Sequence, residues 1–175
     1  PAGQLLVKTA GATGVYASGA VTPVITSVSY MDPTSGNAIS ALTVDPSTST
    51  GGTYTYRDSA SGTVTFSLLP IGVSSSTSGN AKVGSYALTV ANLTQSGTNL
   101  SSTNAVATGN VQVTPKDAVV TATTASTVYN GIAQSQASTS TGVEVGDVVT
   151  IAGLATGTNV GNYASALAVS GSDAS

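Results

Sequence analysis

The sequence contains no cysteine, no histidine and no tryptophan. Without thiols it has neither disulfides nor a thiolate nucleophile, and without imidazole it lacks the side chain that ordinarily serves as a base near neutral pH. Charge is scarce as well, at 6% of residues against roughly a quarter in ordinary soluble domains. The cations are Lys8, Arg57, Lys82 and Lys116, too few and too scattered to neutralise a run of phosphates, so neither nucleic acid nor an anionic membrane surface is an expected partner. No apolar run approaches the roughly 18 residues that cross a bilayer, and no membrane insertion is expected. The chain starts at Pro1 without a charged-then-apolar leader and reads as an internal or processed piece. One Phe and seven Tyr supply little aromatic volume, so any core must be thin and built from Val, Ile, Leu and Ala.

What is present is hydroxyls, glycine and β-branched residues. With 40% hydrophobic residues and a net charge of -3, the chain has too much apolar content and too little charge to remain disordered. Helix formers are sparse, and Gly or a β-branched residue interrupts nearly every window. Strand patterns recur. In Thr63-Val64-Thr65-Phe66-Ser67-Leu68 the apolar residues share one face and the hydroxyls the other, and Tyr86-Ala87-Leu88-Thr89-Val90 alternates likewise. Further strands are expected at 5–9, 21–30, 38–44, 54–57, 111–114, 119–124, 148–151 and 163–169. Gly, Asn, Asp-Pro and Ser stretches separate them. Strands this close, with no helix between, predict an all-β chain of small antiparallel β-sandwich modules in tandem and elongated.

An internal repeat supports the tandem reading. Val83-Gly84-Ser85-Tyr86-Ala87-Leu88-Thr89-Val90 is echoed by Val160-Gly161-Asn162-Tyr163-Ala164-Ser165-Ala166-Leu167-Ala168-Val169, and Gly14-Val15-Tyr16-Ala17-Ser18-Gly19 by Thr127-Val128-Tyr129-Asn130-Gly131. The spacings differ between copies, which places an insertion at about 31–71. The expected organisation is a first β module at 1–115 and a second at 116–175, divided near Pro115-Lys116-Asp117. Gly3-Gln4-Leu5-Leu6-Val7 matches Gly109-Asn110-Val111-Gln112-Val113. Residues 1–9 therefore read as the last strand of a preceding repeat, and the second module as lacking its own last strand. Leu5, Leu6 and Val7 would be a donated strand if identical subunits polymerise by strand exchange.

Over Thr114-Pro115-Lys116-Asp117-Ala118 to Val128-Tyr129-Asn130-Gly131, and at Gly146-Asp147-Val148-Val149 and Val160-Gly161-Asn162-Tyr163-Ala164, the sequence resembles the YDG and MBG repeats of large filamentous-haemagglutinin-like bacterial adhesins. Tyr129-Asn130-Gly131 stands where that family has Tyr-Asp-Gly. The resemblance implies a secreted structural segment at the cell surface of a Gram-negative bacterium, in attachment, biofilm or matrix contacts, with neighbouring repeats as partners and no catalytic residues. Polysaccharide, or a host or bacterial surface, would be what such a protein touches.

Several side chains are read individually. Asp32, Asp45, Asp58, Asp117, Glu144, Asp147 and Asp173 sit mostly beside Pro, Gly or Ser, where carboxylates cap turns, and no catalytic residue is expected among them. No cofactor is expected. Calcium is the one metal considered, through Glu144 and Asp147 in one loop, although no Asp-x-Asp run accompanies them. Tyr54 and Tyr56 share a strand face next to Arg57, a spacing that suits either a sugar-binding platform or a packed interface. Asn130-Gly131 between apolar runs predicts a two-residue hairpin turn, with Tyr129 anchoring a small core. Asn92-Leu93-Thr94 and Asn99-Leu100-Ser101 are N-glycosylation triplets.

Overall fold

The structure, a computed structural model, describes residues 3–44, 52–98, 100–171 and 173. It is all-β, with no helix among these residues. The chain divides into two units. The first comprises 1–14, 18–73 and 84–114, and the second 15–17, 74–83 and 115–175.

Unit 1 is built from β1 (Gly3–Thr9), β2 (Ala12–Val15), β3 (Ile25–Met31), β4 (Ala38–Ala41), β5 (Thr43–Val44), β6 (Thr53–Arg57), β7 (Thr63–Pro70), β8 (Gly84–Ser96), β9 (Leu100–Thr108) and β10 (Asn110–Thr114). One sheet has the order β4-β3-β1-β9 and the other β2-β10-β8-β7-β6-β5. The two share a core of Leu5, Val7, Val28 and Leu100 from the first sheet and Tyr56, Val64, Phe66 and Leu68 from the second, with Leu42 from the connection between β4 and β5. Side-chain alternation creates this core. Val64, Phe66 and Leu68 point inward from β7 while Thr63, Thr65 and Ser67 stay half-exposed. Burying each of the large apolar side chains is worth about 1.5–3 kcal/mol.

Two features depart from the simplest expectation. The pairing is not wholly antiparallel, because β1 runs parallel to β9, with Leu5 opposite Ala105 and Val7 opposite Ala107. A parallel neighbour requires a long crossover, which β2 to β8 supply. The register of β7 against β8 also shifts. Thr65 faces Thr94 and Ser67 faces Ala91, so Asn92 and Leu93 share the place opposite Phe66. This is a β-bulge, and Asn92 takes its left-handed conformation at φ 53°. Asn is among the few residues besides Gly that enter this region at small cost.

Residues 31–71, expected as an insertion, supply β4 to β7 and hence much of the unit 1 core, although 45–51 lie outside the described residues. Residues 3–9, expected to finish a preceding repeat, stand inside the unit 1 sheet between β3 and β9.

Unit 2 holds β11 (Val119–Ala122), β12 (Gln134–Ser135), β13 (Ser138–Thr141), β14 (Thr150–Ala152), β15 (Thr156–Gly157) and β16 (Ala168–Ser170). They pair only as two-stranded ladders, β11 with β13, β12 with β15 and β14 with β16. Among the described residues of this unit only Ser76 is buried. The hairpin expected at Asn130-Gly131 is absent, since residues 123–133 form no strand. The Asn130 carboxamide oxygen instead accepts from the Ile132 amide at 3.0 Å and from Gln134 Nε2 at 3.0 Å. That local bond competes with a ladder turn and gives an Asx turn in its place. Tyr129, expected as a core anchor, is 62% exposed.

Candidate functional site

The most connected polar cluster lies in unit 2, where side chains distant in sequence converge. The segment 74–83 turns back on itself through Ser76 N to Asn80 O at 2.9 Å and Gly79 N to Ser76 O at 3.0 Å. This turn holds the Ser76 and Ser78 hydroxyls 2.9 Å apart. Tyr16 reaches both, with its hydroxyl oxygen 2.6 Å from Ser76 Oγ and 3.2 Å from Ser78 Oγ. The same hydroxyl lies 2.8 and 2.7 Å from the two carboxylate oxygens of Asp147. Hydrogen bonds from Ser78, and then from Tyr16 and Ser76, hold the Asp147 carboxyl below the usual carboxylate range.

A second carboxylate extends the cluster. Asp173 accepts from the Thr77 hydroxyl at 2.5 Å and from the Val148 amide at 3.0 Å, and Lys82 Nζ lies 3.8 Å away. Lys116 pairs with Glu144. Tyr16, Lys116, Glu144, Asp147 and Asp173 line a cavity of about 290 Å³, whose apolar walls include Val120, Val149, Leu167 and Val169. Hydroxyls donating to carboxylates tie chain segments together.

The residues singled out from sequence fare differently. Glu144 and Asp147 do come near one turn, where the Asp147 amide donates to the Glu144 carbonyl at 3.1 Å. Their carboxylates nonetheless take separate partners, Lys116 for one and Tyr16 for the other. Among the described residues no group of three His, Cys, Asp or Glu side chains converges. The sugar platform of Tyr54, Tyr56 and Arg57 is not formed. Both rings turn onto Phe66, with centroids 5.8 and 5.9 Å from it, because the inward face of β6 must fill the core beside Val64. Arg57, the next residue along, is exposed.

Leu5 and Val7 are fully buried and Leu6 nearly so, in the chain's own four-stranded sheet. Asn92 is exposed on the bulge, and Asn99 lies outside the described residues. The sequence marks neither Ser76 nor Ser78, and it offers Tyr16 only as part of a repeat echo and Asp173 only as a turn cap. No local pattern joins them, for the tie from Tyr16 to Asp147 spans 131 positions.

Fold and site together show an all-β chain in which a polar cluster ties loops of unit 2 to one another. Compared with known proteins, the chain matches no family model, no curated sequence and no solved structure.

Proposed function

We propose that this chain is a structural repeat segment of a secreted bacterial surface adhesin or extracellular filament. In this reading its units are small β modules set in tandem along an elongated array. It works by extending and assembling, holding attachment, biofilm or matrix contacts away from a Gram-negative cell surface, and no residue in it performs chemistry. The observation that carries the reading is a duplicated strand pair. Val90 on β8 stands opposite Leu68 on β7, and Val169 on β16 stands opposite Ile151 on β14. Val90 and Val169 close the two copies of the Val-Gly-x-Tyr-Ala echo, of which β8 holds nearly all of the first and β16 the last two residues of the second. Duplicated β units in a chain so poor in charge suit a fibre whose stability comes from neighbour contacts.

The test is to image the native material by negative stain and then run it on a denaturing gel. Fibres that run as one chain far larger than 16.9 kDa agree with a covalent repeat array. Fibres that dissolve into chains of about the size of this sequence would overturn the array and leave a subunit polymerising by strand exchange.

A further inference from the structure

Asn130-Gly131 makes no hairpin, and the turn it makes instead opens the Asn130 side chain to attack by its own backbone. Both residues are exposed and lie outside the strands of unit 2. The Asn130 carboxamide oxygen accepts two hydrogen bonds, from the Ile132 amide at 3.0 Å and from Gln134 Nε2 at 3.0 Å. A main-chain N–H can only donate, so the atom facing it is the carbonyl oxygen Oδ1 and the amide nitrogen Nδ2 is left on the other side. Two donors on one carbonyl oxygen draw electrons away from Cγ. They also stand ready to hold the negative charge that builds on that oxygen when a nucleophile adds.

The nucleophile is the next nitrogen along the chain. Among the described residues no hydrogen bond engages the Gly131 amide. Gly131 stands at φ 74°, and a Cβ placed on it would meet only the Tyr129 hydroxyl, at 4.0 Å. With no side chain and open space around it, its nitrogen approaches Cγ free of the crowding that a β-branched or aromatic successor brings. Asn159 and Asn162 are likewise exposed and outside the strands of unit 2, yet they precede Val160 and Tyr163. No other asparagine of the sequence precedes glycine.

We infer that the Ile132 and Gln134 donors make Asn130-Gly131 a site of self-modification, where the chain closes a succinimide and hydrolyses it to aspartyl and isoaspartyl forms. The Gly131 nitrogen, its proton taken by hydroxide, bonds to Asn130 Cγ, and the oxyanion on Oδ1 is held by the two donors. The intermediate collapses, the Cγ–Nδ2 bond breaks, and Nδ2 leaves as ammonia with a proton from water. A second water then adds to one of the two ring carbonyls. Opening at Cγ leaves an aspartyl residue in the ordinary main chain, and opening at the main-chain carbonyl leaves the chain running through Cγ. Either way one water is consumed in net and one ammonia released, and the chain gains a negative charge. The aspartyl form keeps the acceptor for the Ile132 amide and strengthens it by charge. The isoaspartyl form lengthens the main chain by a carbon and undoes the turn. The reaction changes the chain itself and acts on no substrate, so it stands independently of the structural-repeat reading.

The experiment incubates the full chain in mildly alkaline buffer and follows it by peptide mass spectrometry, with isoaspartyl methyltransferase labelling the rearranged product. The expected result is a gain of about 1 Da at Asn130, accumulating several-fold faster than at Asn159 or Asn162. Gln134→Met removes one donor at nearly constant side-chain length. It should slow the gain at Asn130 several-fold and leave Asn159 and Asn162 at their wild-type rates. Asn130 converting no faster than those two would overturn the inference. So would conversion of Gln134→Met at the wild-type rate, since a flexible Asn-Gly pair would then account for the reaction without the polarised carbonyl.

Discussion

The Tyr16 hydroxyl lies 2.7 Å from Asp147 Oδ2 and 2.6 Å from Ser76 Oγ, so a single side chain joins three stretches of unit 2. A unit with almost no buried apolar side chain has few other means of fixing its loops. Such charge-assisted bonds are the stronger kind. Replacing Tyr16 by Phe keeps the ring and removes the tie. The amides of residues 147 and 148 are expected to exchange faster in Tyr16→Phe, while Tyr129→Phe, at an exposed ring, leaves them unchanged. Equal exchange in wild type and Tyr16→Phe would mean that the tie holds nothing.

The same cluster predicts an acid dependence. The folded Asp147 carboxyl is held below its ordinary value by the hydroxyls around it. Its contribution to stability is therefore fully present above the unfolded value, near pH 4, and is lost as pH falls through the lower folded value. Protection of the Val148 amide should be flat from pH 7 to 5 and decline below about pH 4. Asp147→Asn should lessen that decline, leaving the part that belongs to the Asp173 carboxylate, which accepts from the Val148 amide.

At the alkaline end the signal comes from unit 1. Burial first, and then the hydrogen bond it donates to Asp58 Oδ2 at 2.6 Å, push the Tyr30 phenol well above its ordinary value. Burial raises Tyr56 also. A group raised in the folded state contributes stability that is present below the unfolded value, about pH 10, and is lost as pH rises beyond it. Absorbance titration near 295 nm should show Tyr30 and Tyr56 ionising above the ordinary tyrosine value, about pH 10, or only on unfolding. Asp58→Asn should bring Tyr30 down. A single titration step for every tyrosine would contradict these placements.

How much of this was legible in the sequence depends on range. Val64, Phe66 and Leu68 were readable because period-2 alternation is a local property of a half-buried strand. β9 gave no such signal, since Leu100-Ser101-Ser102-Thr103-Asn104 resembles a loop in composition and is a strand only because β1 lies beside it. Tyr54 and Tyr56 were placed correctly on one face of a strand, but which face turns inward is decided by Phe66 across the ladder. Asn130-Gly131 failed as a hairpin because the Asn side chain bonded its own backbone. Tyr16 and Asp147 could not be joined from sequence, as nothing in either neighbourhood refers to the other.

The core prediction concerns Phe66. It is fully buried, and the rings of Tyr54 and Tyr56 rest against it. Phe66→Ala leaves a cavity that two rings anchored in β6 cannot readily close, and should destabilise unit 1 by about 3–5 kcal/mol. The check is the denaturant midpoint followed by amide signals from β7 and β8. A loss under about 1 kcal/mol would mean that Phe66 is not the centre of that core.

The bulge opposite Phe66 gives a prediction whose sign depends on backbone alone. Asn92 is exposed and makes its turn at φ 53°, so its side chain contributes little by packing. A β-branched residue there meets the following carbonyl, and Asn92→Val should cost about 1–2 kcal/mol although Val is the better strand former elsewhere. Asn92→Gly frees the left-handed conformation of strain and gives some of that back through the entropy of the unfolded chain, so it should lie within about 0.5 kcal/mol of wild type. Both substitutions remove the Asn92-Leu93-Thr94 triplet, so any difference between them cannot arise from a glycan. Thermal unfolding of the two variants side by side decides the matter. If Asn92→Val is as stable as Asn92→Gly, the strand pairs without the bulge and Leu93 has moved to the opposite face.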